Sequence, residues 1–125
     1  MATGTPIGST ISLTATGISG AAVTLTIPAS AAATFHYITW VEITLFRVTV
    51  LTPGATASIV TSTNLNGNPS FDISNAAGVL GGIERMQIAP DIPIKSAVAA
   101  TATTFVTPIV TGGIWRVSAL WFVGP

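Results

Sequence analysis

The sequence predicts an all-β fold: a single-domain antiparallel β-sandwich or jelly-roll-like barrel with an extended N-terminal arm. Three observations carry that expectation. Apolar residues alternate with Thr and Ser in short runs, the period of half-buried strands. Gly and Pro punctuate these runs every ~8–15 residues, as the turns of sandwiches and barrels do. Apolar spacing of about 3.6 residues never persists long enough for a helix.

The elements follow in chain order. Residues 1–8 carry Gly4, Pro6 and Gly8 and read as the arm, leaving 9–125 as the sandwich domain. From Ser9 to Thr16, Ile11, Leu13 and Ala15 alternate with Ser and Thr; Val23, Leu25 and Ile27 repeat the pattern until Pro28 ends it. Ala29 to Thr34 is a connector with room for one helical turn. After it comes Phe35 to Val50, free of Gly and Pro and dense in β-branched and aromatic residues, which predicts one long strand or two nearly continuous ones. Strict alternation puts Phe35, Tyr37, Val41, Ile43 and Leu45 on one face. The other face then holds Ile38, Trp40, Phe46, Val48 and Val50, interrupted by His36, Glu42 and Thr44. A strand apolar on both faces needs cover on both, from the opposing sheet and from a neighbour.

Pro53-Gly54 predicts a turn, Ala55 to Thr63 a Thr-rich strand, and Asn66-Gly67 a tight turn. Phe71 to Ser74 is a short strand, residues 75–82 a small-residue loop, and Ile83 to Ile88 a further strand. Pro90, Pro93 and Pro108 confine the next part to edge strands and extended segments, with Thr101 to Thr107 the best strand among them. Gly112-Gly113 turns the chain into Ile114 to Val123. That strand puts Trp115, Val117, Ala119, Trp121 and Val123 on one face and Ile114, Arg116, Ser118, Leu120 and Phe122 on the other. The predicted core is led by Val23, Leu25, Ile43, Leu45, Val117 and Trp121.

Composition then narrows the function. Charged residues make up only 6 % of the 125, against about 25 % in an ordinary soluble domain, and mean hydropathy is +0.72. Four basic and four acidic side chains cancel, so no field steers nucleic acid or an anionic membrane. A neutral, charge-poor surface protects a free monomer weakly, so burial against other subunits is expected. With no Cys, thiolate catalysis and disulfides are excluded. The first residues show neither a basic nor an apolar leader segment, and no run of about 18 apolar residues predicts a membrane helix.

No catalytic constellation assembles, and neither metal nor organic cofactor is expected. His36 is the single imidazole, which rules out a multi-histidine metal site; it reads as a histidine bonded to backbone at a strand start. Asp72, Glu84 and Asp91 lack the spacing of a calcium loop. Glu42 and Arg47 fall on opposite strand faces, so each must pair with another strand or subunit. Trp115 and Trp121 read as core or subunit interface, while Trp40 is the best outward contact. The candidates for a contact with another subunit or partner protein are Pro6, Ile7, His36, Ile38, Trp40, Glu42, Arg47, Trp115 and Arg116.

Several fragments carry a family likeness. Ile27-Pro28-Ala29, His36-Tyr37-Ile38-Thr39 and Val41-Glu42-Ile43, then Pro93-Ile94-Lys95-Ser96, Thr101-Ala102-Thr103-Thr104 and Ile114-Trp115-Arg116-Val117, together resemble the small capsid decoration, or cement, proteins of tailed bacteriophages. The chain departs from that pattern before His36, where Ala31-Ala32-Ala33-Thr34-Phe35 stands in place of a Gly- or Arg-bearing turn. The resemblance implies a non-enzymatic virion protein, made in the host cytoplasm and carried on the outer capsid surface. It further implies a homotrimer at threefold sites that bridges major capsid protein subunits. A glycan- or receptor-binding jelly roll of a phage fibre, or another self-assembling coat subunit, are the alternatives.

Overall fold

The computed structural model describes residues 10–48, 57–74 and 82–125. The strands are β1 (Ile11–Thr16), β2 (Thr24–Ile27), β3 (Phe35–Arg47), β4 (Ala57–Thr63), β5 (Ser70–Ser74), β6 (Ile83–Ile88), β7 (Ile94–Lys95), β8 (Thr103–Val106) and β9 (Gly113–Gly124). They form two antiparallel sheets packed as a sandwich. A five-stranded sheet runs β1-β9-β3-β6 with β7 also paired to β3, and a four-stranded sheet runs β2-β8-β4-β5.

The alternation read from the sequence explains the packing. Leu25 and Ile27 from β2, Val60 from β4 and Phe105 from β8 point inward from one sheet. Val41, Ile43, Leu45, Trp115, Val117, Ala119 and Trp121 meet them from the other, each at most 4 % exposed. All six residues expected to lead the core are buried. Two-residue β7, hemmed by Pro93, occupies an edge as its prolines require. At Leu65–Asn68 the Asn68 N–H donates to the Leu65 carbonyl at 3.0 Å, and Gly67 takes the positive φ of 82° that the turn needs.

Three expectations need correction. The connector before β3 makes a hydrogen-bonded turn, Thr34 N–H to the Ala31 carbonyl at 3.2 Å, and no helix. The long strand ends at Arg47, where Val48 N–H donates to the Gly112 carbonyl at 2.8 Å. Most consequential, β3 does not alternate strictly. Ile38 pairs with Trp121 but Trp40 with Leu120, so Thr39 is an extra residue, a β-bulge. Its hydroxyl donates to the Leu120 carbonyl at 3.1 Å. Beyond the bulge the faces exchange, so His36 and Ile38 share the inner face with Val41, Ile43, Leu45 and Arg47. The arm with Pro6 and Ile7, the Pro53-Gly54 turn and residues 75–81 lie outside the described residues.

Candidate functional site

The bulge assembles the outward face of the five-stranded sheet. On β3 it carries Phe35, Tyr37, Trp40, Glu42, Thr44 and Phe46. Their partners on β9 are Gly124, Phe122, Leu120, Ser118, Arg116 and Ile114 respectively. At one end the Tyr37 and Phe122 rings stack, 5.0 Å between centroids and 2° from parallel, beside the Trp40–Leu120 pair. Lys95 Nζ lies 4.0 Å from the Phe35 ring centroid and 5.7 Å from that of Tyr37, a cation–π arrangement. The Tyr37 hydroxyl donates to the Pro125 carbonyl, tying the chain end to this cluster. At the other end Phe46 (37 % exposed) stands between Ile83 (52 %) on β6 and Ile114 on β9.

A polar belt separates the two apolar ends. Glu42 accepts from Gln87 Nε2 at 2.5 Å and sits 3.9 Å from Arg85 Nε; Thr44 pairs with Arg116, and Ser118 bonds Thr14 across to β1 at 2.9 Å. Glu42 therefore finds its partners on β6, as the strand-face argument required. The face is a large aromatic and aliphatic surface with a hydrogen-bonded waist. Such a surface suits contact with another protein, because aromatic side chains bury much area with few rotamers to freeze.

Of the contact candidates, Trp40, Glu42 and Arg116 lie on this face. His36, Ile38, Arg47 and Trp115 do not. Ile38 and Trp115 are fully buried in the sandwich, because the bulge turned one inward and strict alternation on β9 the other. Arg47 is 7 % exposed and its Nη2 donates to Glu84 Oε1 at 2.6 Å across the sheet edge. His36 is 1 % exposed, with Nδ1 2.8 Å from Thr103 Oγ1 and the Pro28 backbone also acting on the ring. Burial holds its imidazole below the ordinary value of 6.5, against a smaller opposing pull from the Pro28 backbone. Phe35 and Tyr37, which only the bulge places on the same side as Trp40, were missed as contact residues, and so were Lys95 beside their rings and Phe46, which alternation alone already put with Trp40. The β9 half of the face, Leu120 and Phe122 included, already stood together in the strand's own alternation.

Among the described residues no group of three His, Asp or Glu side chains gathers as a metal site, and no helix is long and apolar enough to cross a membrane. No protein-family model matches the chain, and no curated protein does. Among solved structures, a chain of the virus-like particle of the giant freshwater prawn Macrobrachium rosenbergii extra small virus superposes with a TM-score of 0.34 at 11 % identity, covering 90 % of this chain and 78 % of that one. That superposition is too loose to assign a shared fold.

Proposed function

We propose that the chain is a structural virion protein that works by self-association and carries out no catalysis. In its finer form, the proposal is a decoration protein on the outside of a phage head, bridging major capsid protein subunits as a homotrimer. The observation that carries it is the outward face of β3 and β9. Trp40, Leu120, Tyr37, Phe122 and Phe46 form an apolar surface on a chain with very few charges to keep it apart from its neighbours. One layer of the sandwich covers the inner face, and among the described residues no strand covers the outer one, which leaves that face open to another chain. The threefold arrangement and the capsid partner rest on the resemblance of the His36–Ile43 and Ile114–Val117 segments to decoration proteins. Contact made by rings and aliphatic groups should persist in high salt, where ion pairs fade.

Gold-labelled antibody against the folded chain tests the location. Labelling of intact virions at regular outer sites is expected, and labelling confined to disrupted particles or to a fibre tip would contradict it. Saturable binding to a glycan panel through Trp40 would move the function to carbohydrate recognition.

A further inference from the structure

The edges of the two sheets are built differently. β6 carries Glu84 and Arg85, and β5, at the edge of the other sheet, carries Asp72. Charges of this kind keep an edge strand from pairing with a neighbour. β1 forms the opposite edge of the five-stranded sheet with Ile-Ser-Leu-Thr-Ala-Thr, free of charge, Gly and Pro. Its register against β9 is unbroken from Ile11 to Thr16, so no bulge turns it aside.

The ladder fixes which backbone groups this edge leaves open. Gly17 N–H donates to the Trp115 carbonyl at 2.9 Å, one step beyond the Thr16–Arg116 pair. Bonded and non-bonded pairs alternate in an antiparallel ladder, so Ala15, Leu13 and Ile11 also direct their N–H and C=O to β9. The β3 side of β9 agrees. Val48 N–H meets the Gly112 carbonyl there, so even-numbered β9 residues turn to β3 and odd-numbered ones to β1. Ser12, Thr14 and Thr16 therefore point their N–H and C=O off the sheet, and among the described residues no backbone group meets them. All three are exposed. Leu13 is half-buried between them and lines, with Ile11, Pro28 and Trp121, a gap between β1 and β2.

We propose that β1 pairs antiparallel with β1 of a second copy about a two-fold axis at Thr14, continuing the five-stranded sheet across both chains. This register engages all three residues at once. Thr14 faces Thr14 of the second copy, and Ser12 and Thr16 face its Thr16 and Ser12, each pair exchanging two hydrogen bonds. A copy of this chain is the occupant because its own β1 edge is open in the same way, carries no charge, and matches in length and spacing. Hydroxyl side chains meet across the outward face, a favourable cross-strand pairing. On the inward face Leu13 gains Ala15 of the second copy as a neighbour. Pairing of two short strands is marginal in water, so the contact forms at high concentration or between crowded copies. It does not depend on the aromatic face.

The chain has no Cys, so introduced thiols report the register. The Trp40→Ser background separates this contact from the aromatic face. In it, Thr14→Cys at millimolar concentration should oxidise to a disulfide dimer, because the two-fold sets the paired Cα atoms roughly 5.5 Å apart, within disulfide reach. Ser12→Cys alone and Thr16→Cys alone should link at least about tenfold more slowly, their twins lying ~14 Å apart. Mixed together, those two variants should link at a rate comparable to Thr14→Cys. Thr14→Pro removes only an N–H that β9 does not use, so it should abolish linking in the mixture and leave the circular dichroism spectrum unchanged. Thr14→Cys linking no faster than the single Ser12 and Thr16 variants, or a mixture no faster than either alone, would overturn the proposal. Linking that survives Thr14→Pro would do the same.

Discussion

The two outward faces of the sandwich obey the same alternation and carry opposite chemistry. Across the four-stranded sheet, Thr26 on β2, Thr104 on β8 and Thr63 on β4 stand in one row, with Thr24, Val106 and Thr61 in the next. Thr63 and Thr104 hydroxyls bond each other at 2.6 Å. Across the five-stranded sheet, the equivalent positions hold Phe35, Tyr37, Trp40, Phe46, Leu120 and Phe122. Threonine suits an exposed strand twice over: its branched carbon fits the pleat, and its hydroxyl bonds water or a neighbour. Rings satisfy the first requirement and leave the second unmet. Inward residues decide that the chain folds as a sandwich, and outward residues decide which side stays wet.

The largest effects should ignore this difference, because both inner faces build one core. Trp115→Ala in the five-stranded sheet and Phe105→Ala in the four-stranded sheet should each cost about 3–5 kcal/mol in denaturant unfolding, through lost burial and a cavity. A loss under about 1 kcal/mol for either would mean that side chain does not pack as described.

Next in size comes association, where the faces should part. Trp40→Ser and Leu120→Ser should weaken self-association at least tenfold, roughly the scale of a contact worth more than 1 kcal/mol. Ile59→Ser, which removes an equally apolar side chain 54 % exposed on the four-stranded sheet, should leave association unchanged. Equal effects at the two sites would erase the distinction.

A smaller effect concerns pH. Burial holds His36 below its ordinary value of 6.5 in the fold, so the unfolded chain takes up the proton first as pH falls. Its contribution is therefore fully present above 6.5 and is lost as pH drops from there toward the folded value. Thermal unfolding between pH 7.5 and 5 should show that decline in the native chain, and His36→Asn should remove the histidine's share of it. Smallest of all, Thr63→Val should cost under about 1 kcal/mol, one exposed hydroxyl pair, with no change in association.

Most strands were legible because each element declares its period locally: Val23-Leu25-Ile27 and Trp115-Val117-Ala119-Trp121 alternate without interruption, and Pro28 and Gly112 mark where runs end. The outward face was half legible. Its β9 row and the Trp40–Phe46 part of its β3 row follow from simple alternation, but the Phe35 and Tyr37 end depends on the extra residue at Thr39. A bulge is set by pairing with a strand some eighty residues away, so no local pattern announces it. The same shift explains why Ile38 looked like a contact and proved to be core, and why Tyr37 looked like core and lies outside. His36 needed the fold for another reason: Thr103, which Asn64 contacts in turn, approaches it only after β3 and β8 have packed.

Sedimentation equilibrium of the full chain at micromolar concentration, in low and in molar salt, tests the central claim most directly when run beside Trp40→Ser. A trimer mass that survives molar salt in the native chain and falls toward monomer in the variant is the predicted result. A native chain that stays monomeric at micromolar concentration, or a trimer that Trp40→Ser leaves intact, would contradict assembly through the aromatic face.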